Sequence, residues 1–326
     1  MNTNVSSDTH DSINSSIINP DKEIAHKRVI GSLTTMPDRY SKIIKTLQSL
    51  RDQTYKLDAI YLGLPEKSRR LNIIYPPIPI EISNLCTIVP CIDYGPITKI
   101  MGGLLMEENP ETIIITFDDD MIYTPTLVET LMSHHYKHPQ SAIGSSGMLL
   151  KYNCPMCAIT PNEDNILYRI PKFKVPPEGR RVDSIYGYPG ALYIRRFFPD
   201  KQLLESDFLH YALIDNNMFM NDDILISGYI SLQGIERKIF PNMPLVSFAI
   251  PDTNNGNGRV RVDNEISYDM DRFFQRMNGA ITMCKSLGMY AVTEPMDMSE
   301  TIAGISAIIV LSVIVLIVIV VFIIRR

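Results

Sequence analysis

Residues 113–123 read Ile-Ile-Ile-Thr-Phe-Asp-Asp-Asp-Met-Ile-Tyr. A β-branched apolar run ends abruptly in three consecutive carboxylates, Asp118, Asp119 and Asp120. The run has the length and composition of a buried strand. Like charges a few ångströms apart repel, so an acid cluster persists cheaply only in open solvent or around a cation. In open α/β sheets, ligands gather at the carboxyl ends of the strands. The position of the acids therefore points to a cation. The plain alternative is a solvated turn in which one Asp caps the following helix.

The segments around the triplet alternate in period. Strands are expected over 29–33, 59–64, 87–89 and 112–117. Helices are expected from Pro37 onward, over 97–108 and over 125–136. Proline is tolerated in a first helical turn, and Tyr40, Ile43, Ile44, Leu47 and Leu50 form one apolar stripe behind it. Short links between alternating strands and helices mark an α/β fold with a mostly parallel sheet flanked by helices. Residues 65–84, rich in proline and basic side chains, read as irregular. Further on, 191–194 reads as a strand and 222–233 as a helix. The Asn/Gly-rich stretch within 251–265 reads as a flexible loop. A helix over about 266–287 carries Ile266, Met270, Phe273, Met277, Ile281 and Cys284 on one face. An acidic linker, 291–301, follows.

The chain of 326 residues carries a formal charge of −5 and no basic patch, so a nucleic-acid partner is not implied. Five scattered cysteines do not make the framework of a disulfide-rich secreted domain. Cys154-Pro-Met-Cys157 lacks a second pair at metal spacing and reads as reduced loop cysteines. The cluster of His134, His135 and His138 lacks an evident further ligand and reads as a solvated helix end. Residues 302–324 hold no charge and are almost all Ile, Val, Leu and Ala. As a helix they span about 35 Å, enough to cross a bilayer core of about 30 Å. Residues 1–27 are polar, lack the apolar core of a signal peptide and read as a disordered tail. A single-pass C-terminal anchor with the main domain in the cytosol is the expected topology. Arg325 and Arg326 argue mildly the other way.

Three blocks carry the candidate chemistry. The first runs from Val29 to Tyr40 and includes Thr34 and Arg39. The second is Asp93-Tyr94-Gly95-Pro96-Ile97-Thr98-Lys99, with the Asp118–Asp120 triplet. The third is Val182-Asp183-Ser184-Ile185-Tyr186-Gly187-Tyr188-Pro189-Gly190, with Asn221-Asp222-Asp223. In this order they resemble nucleotide-sugar transferases of the GT-A fold, close to glycosyltransferase family 2-like proteins of bacteria and large DNA viruses. The resemblance covers roughly residues 28–245. It implies a Rossmann-like GT-A domain and a metal-dependent, inverting transfer of a sugar from a nucleoside diphosphate to an acceptor hydroxyl on a glycan, protein or lipid.

The resemblance also assigns roles. Asp118-Asp119-Asp120 matches the D-x-D motif, with Asp120 a direct ligand of Mn²⁺ or Mg²⁺ and Asp118 on the ribose or the metal. Such ions suit carboxylate and phosphate oxygens. Asp223 is the expected base and Asp222 its neighbour. Alone, the pair reads rather as a cap at a helix start. Thr34, Arg39, Asp93, Lys99 and Asp119 are expected around the nucleotide. Asp183, Gly187 and Gly190 are expected to line the sugar pocket. The late histidine that some members add to the metal shell has no counterpart after His210. Two other readings compete: a metal-dependent nucleotidyltransferase and a non-catalytic membrane-anchored binding protein. The first is weakened because no glycine follows Gly31 in Ser-Leu-Thr-Thr-Met-Pro-Asp-Arg, where a phosphate loop needs several.

Overall fold

A computed structural model describes residues 27–150, 168–169, 175–198, 201–241, 243, 247–248, 259–262, 265–268 and 270–291. The polar tail up to residue 26, the Cys154/Cys157 pair, the acidic linker beyond 291 and the expected span at 302–324 lie outside these residues. Among the described residues, no helix is long and apolar enough to cross a membrane.

Eight strands make the central sheet. They are β1 (Val29–Thr34), β2 (Ala59–Leu64), β3 (Thr87–Pro90), β4 (Ile113–Thr116), β5 (Ser141–Gly144), β6 (Arg180–Arg181), β7 (Ala191–Ile194) and β8 (Glu236–Ile239). Their spatial order is β6-β8-β5-β7-β4-β1-β2-β3. β2 pairs in parallel with β1 and β3, β1 with β4, and β5 with β8. β7 runs antiparallel between β4 and β5, and β6 is antiparallel to β8. The fold is α/β, with a large mixed, mostly parallel sheet flanked by helices. Ile113, Ile114 and Ile115 have no solvent exposure. A continuous apolar run is what a strand buried on both faces requires.

The strand order explains why a site forms where it does. From β1 the chain builds outward through β2 to β3, then returns to the other side of β1 as β4. Connections therefore leave in opposite directions at the carboxyl ends of β1 and β4, and a crevice opens there. Thr34 and Thr35 end one strand, and the acid triplet follows the other.

Helices fix this edge. α1 (Tyr40–Arg51) follows a 3₁₀ turn at Pro37–Arg39 and buries Tyr40, Ile43, Leu47 and Leu50. From α1, Thr46 Oγ1 donates to the carbonyls of Asp119 and Met121, at 3.0 and 2.8 Å, and so pins the acid turn. α2 (Thr98–Met106) lies against β1 and β2. Its Gly103 permits close approach, since a Cβ there would sit 2.9 Å from Ile30 Cδ1. Ser32 Oγ donates to Lys99 O at 2.6 Å and accepts from Gly103 N at 2.9 Å, locking helix to strand. α3 (Leu127–Lys137) buries Leu127, Val128, Leu131, Met132 and His135. Its two histidines and His138, which caps it, do not form one cluster: His134 stacks on Phe240 at 3.8 Å, His138 lies 5.3 Å from the same ring, and His135 is fully buried.

Several boundaries differ from the sequence reading. Residues 65–84 are not wholly irregular, because Lys67–Ser68 pairs with Ile73–Ile74 and Ile80–Ser83 forms a helical turn. The expected loop 251–265 contains Arg259–Val262, which pairs with Glu265–Tyr268 in a hairpin. Ile266 is therefore a strand residue, and α7 begins later, at Met270, running to Ser286. The Asn/Gly stretch ahead of it concealed the hairpin, whose register pairs Arg259 with Tyr268 and Val262 with Glu265. α4 (Lys201–Ile214), α5 (Asn216–Met220), β5 and β8 carry weak sequence signals. β8 is Glu-Arg-Lys-Ile, and its pairing with β5 and β6, not its own hydrophobicity, makes it a strand. α6 (Asp222–Leu232) starts where the acid pair was expected to open a helix.

Candidate active site

The crevice at the switch point holds a cavity of about 210 Å³. Thr34, Arg39, Asp93, Lys99, Asp118, Asp119, Asp120 and Asp222 all line it. Residues from positions 34 to 222 are thus brought to one place.

Lys99 sits at the centre. It projects from the first turn of α2, and its side chain is only 5% exposed. Nζ lies 2.8 Å from Asp118 Oδ1 and 3.5 Å from Asp223 Oδ1, and it also touches Asp222 Oδ2. Burial alone would lower the ammonium pKa, but Asp118, Asp222 and Asp223 together hold it well above its ordinary value. One cation thus joins the acid triplet to the acid pair, a link that sequence spacing does not reveal. Asp222 Oδ2 has no well-aligned hydrogen bond among the described residues and is neutralised through this ion contact.

Asp223 has a second fixed partner. Gly187 N donates to its Oδ1 at 3.0 Å. A Cβ at Gly187 would lie 2.7 Å from both Asp223 Oδ1 and Lys99 Nζ, so a side chain there would have to push these two groups aside. Burial pushes the Asp223 carboxyl up to about 7. The negative charges of Asp222 and Asp118 push the same way, while Lys99 and the Gly187 N–H oppose them. A carboxyl near neutrality is suited to accept a proton from an attacking hydroxyl.

The triplet divides by its partners. The regular strand stops at Thr116, and Asp119 and Asp120 lie in a turn, so simple strand alternation does not order their side chains. Asp119 is committed to structure: Thr35 Oγ1 donates to Oδ2 and Arg39 Nη1 to Oδ1, each at 2.6 Å. Asp118 is held by Lys99, and its backbone N donates to Tyr123 Oη at 2.8 Å. Asp120 is half-buried at the cavity wall.

Among the described residues, no group of three His, Cys, Asp or Glu side chains forms a ready cation cage. Asp118 and Asp120 on one cavity do fit a cation that takes its remaining ligands from a diphosphate, because Mg²⁺ is commonly held by one or two carboxylates plus substrate phosphates.

Other expected residues are placed differently. Thr34 lines the cavity, but its hydroxyl donates to Gly63 O at 2.8 Å, tying β1 to β2. Asp93 accepts from Arg69 N and Gly95 N at 2.6 and 2.7 Å and shapes the loop. Asp183 has no solvent exposure and accepts from Leu150 N at 2.6 Å. Through that bond it anchors the neighbouring segment. Gly190 has φ of +94° and serves the turn into β7. Neither Asp183 nor Gly190 lines the cavity.

Sequence spacing did not single out Thr35, Arg70, Tyr75, Phe219 or Met220, which also line the cavity. Tyr75 Oη donates to Thr35 O at 2.8 Å, closing that side. Gly95 has φ of +75°, and a Cβ there would lie 2.4 Å from Phe219 O. The Gly-Pro turn thus lets α5 approach. The Gly95-Pro96 dipeptide is the signal of this packing that the sequence carried. Cys86, Cys91 and Cys284 are free thiols, each pushed up to about 12 by burial, and are not reactive nucleophiles.

Fold and site together define an α/β protein with an acid-lined cleft at the carboxyl edge of a topological switch point. Neither the protein-family models nor the curated proteins compared with this chain contain a match to it.

Proposed function

We propose that this protein is a metal-dependent, inverting glycosyltransferase of the GT-A type, transferring a sugar from a nucleoside-diphosphate donor to an acceptor hydroxyl on a glycan, protein or lipid. The observation that carries the reading is the convergence of Asp118, Asp222 and Asp223 on one buried lysine, with Asp120 on the wall of the same switch-point cleft. Two acid groups from distant parts of the chain serve the two charges that such a transfer creates. The expected anchor at 302–324 would tether the domain to a membrane.

The acceptor oxygen forms a bond to the anomeric carbon. The bond from that carbon to the diphosphate oxygen breaks, and its electron pair leaves on the nucleoside diphosphate. The acceptor proton passes to the carboxylate of Asp223. Gly187 N–H and Lys99 orient that carboxylate. Asp118 and Asp120 would hold a Mn²⁺ or Mg²⁺ ion, which as a Lewis acid offsets charge on the departing diphosphate. Thr35 and Arg39, through Asp119, keep the acid turn in place beside it. Direct displacement by the acceptor on the face opposite the leaving group inverts the anomeric carbon.

The test is turnover of a panel of UDP- and GDP-sugars with Mn²⁺, read as released nucleoside diphosphate. Asp120→Ala is expected to remove the activity. If no donor is bound or turned over, and Asp120→Ala changes nothing, the reading fails.

A further inference from the structure

The hairpin of Lys67–Ser68 and Ile73–Ile74 leads into a strip that reads Ile-Ile-Tyr-Pro-Pro-Ile-Pro-Ile over 73–80. The strip carries no charge, and Ile73, Ile74 and Ile80 are 51, 66 and 66% exposed. It is fastened at both ends. Tyr75 Oη donates to Thr35 O at 2.8 Å, and Tyr75 N donates to Glu66 O at 2.9 Å. Ile82, with no solvent exposure, seats the far end. Isoleucines held outward between two fixed points mark a contact surface. Beside them, residues 67–74 hold Lys67, Arg69 and Arg70 and no acid, in a chain whose formal charge is −5. Three features say what covers this surface. Prolines at 76, 77 and 79 have no N–H to offer a partner strand. The three cations repel the same patch on a second copy and attract anionic headgroups. The third feature is the tether. Among the described residues burial ends at Tyr290, and 291–301, which separates it from the apolar segment 302–324, reaches at most about 40 Å. α7, which leads to that exit, passes the hairpin. Its Arg276 lines, with Arg69 and Arg70, a second cavity of about 470 Å³ beside the first, and Ser286 lies about 15 Å further along the helix.

We propose that residues 67–80 dock on the surface of an anionic phospholipid bilayer, with the isoleucines at the headgroup boundary and the cations among the headgroups. The proposal rests on the anchor at 302–324 and not on the transfer chemistry. The patch is too small to hold the domain by itself. With the tether in place it sets which face of the domain meets the lipid. Ser68, Arg70 and Tyr75 line the acid-lined cleft, so docking brings that wall of the cleft to the bilayer surface.

The chain has no tryptophan, so Ile74→Trp adds a single fluorescent reporter. The full-length variant is reconstituted into vesicles of equal parts phosphatidylcholine and phosphatidylserine, with or without bromine high on the acyl chains. Bromolipid should quench the tryptophan. Ile80→Trp, also at an exposed position, repeats the measurement if the first variant does not fold. Tyr136 is 44% exposed at the end of α3. Its neighbour His135 contacts Lys27 just ahead of β1, so it lies at the amino edge of the sheet, away from the cleft, and Tyr136→Trp should stay unquenched. Lys67→Gln added to Ile74→Trp should lower the docked-to-free ratio about fivefold, the worth of one basic residue at an anionic surface. Four results would overturn the docking: no quenching at 74 or 80 in a chain that floats with the vesicles, equal quenching at 136, equal quenching in pure phosphatidylcholine, or blue-shifted emission that bromine leaves unquenched. The last would mean that a second copy or another segment of this chain covers the strip. A chain that fails to float overturns the anchor and the docking together. Donor turnover is read separately, so the transferase reading stands or falls on its own test.

Discussion

Lys99 shows how much one side chain can decide. Its ammonium is buried among three carboxylates, so removing it leaves those charges facing one another in a poorly solvated place. Lys99→Met is expected to cost about 3–5 kcal/mol, read as a fall in the urea midpoint. An unchanged midpoint would mean that water already compensates these acids. Asp223 sets a pH dependence. Its carboxyl, raised to about 7 chiefly by burial, must be deprotonated to act as base. kcat/KM should therefore rise about tenfold per pH unit below 7 and level off above it. A flat profile between pH 5.5 and 8, with chemistry limiting, would remove Asp223 from that role. At this scale the sequence was informative about residue type and silent about partners. Asp118 and Asp120 were legible as a pair. That Asp119 turns to Thr35 and Arg39, and that Asp183 serves a neighbouring segment, depended on contacts 33 to 84 residues apart.

The elements place these residues by tight packing as much as by hydrogen bonds. α2 carries Lys99 into the site only because Gly103 lets it lie close to β1 and β4. A Cβ would meet Ile30 Cδ1 at 2.9 Å and Ile114 Cγ2 at 3.1 Å. Gly103→Val should therefore cost roughly 1–3 kcal/mol by overpacking, measured by chemical denaturation. It should also lower turnover more than Gly103→Ala does, because the larger side chain tilts the helix that holds Lys99. Equal stability and turnover in both variants would show that the helix is not seated as tightly as this. Period and composition were enough to place β1, β2, β4, α1 and α2, whose apolar faces are uninterrupted. They were not enough for β5 and β8, which are short or polar and exist because neighbouring strands complete their hydrogen bonds. The hairpin at 259–268 failed to appear for a related reason. Its pairing lies between residues whose individual propensities are ordinary, behind a stretch that reads as loop.

For the whole molecule, the folded unit reaches as far as Tyr290. Its ring is 2% exposed, its Oη donates to Ile224 O at 2.6 Å, and its N donates to Ser231 Oγ at 2.8 Å. A chain ending at residue 295 should keep the melting temperature of the full-length protein and leave the membrane fraction, as seen by calorimetry and flotation. A chain ending at 286 should melt lower by several degrees. Membrane retention of the 295 form would refute the proposal of an anchor at 302–324. The sequence by itself determined the α/β class, the strands that flank the switch point, the acid groups at 118–120 and 222–223, and the apolar segment near its end. Each of these is written in local composition or period, and local physics is enough to read it. Only the tertiary structure decided that one lysine joins the two acid groups, that Gly187 packs against both Asp223 and Lys99, and that three arginines share a second cavity beside them. Those facts depend on which distant residues the sheet order and helix packing bring within a few ångströms, and no local pattern encodes such distances.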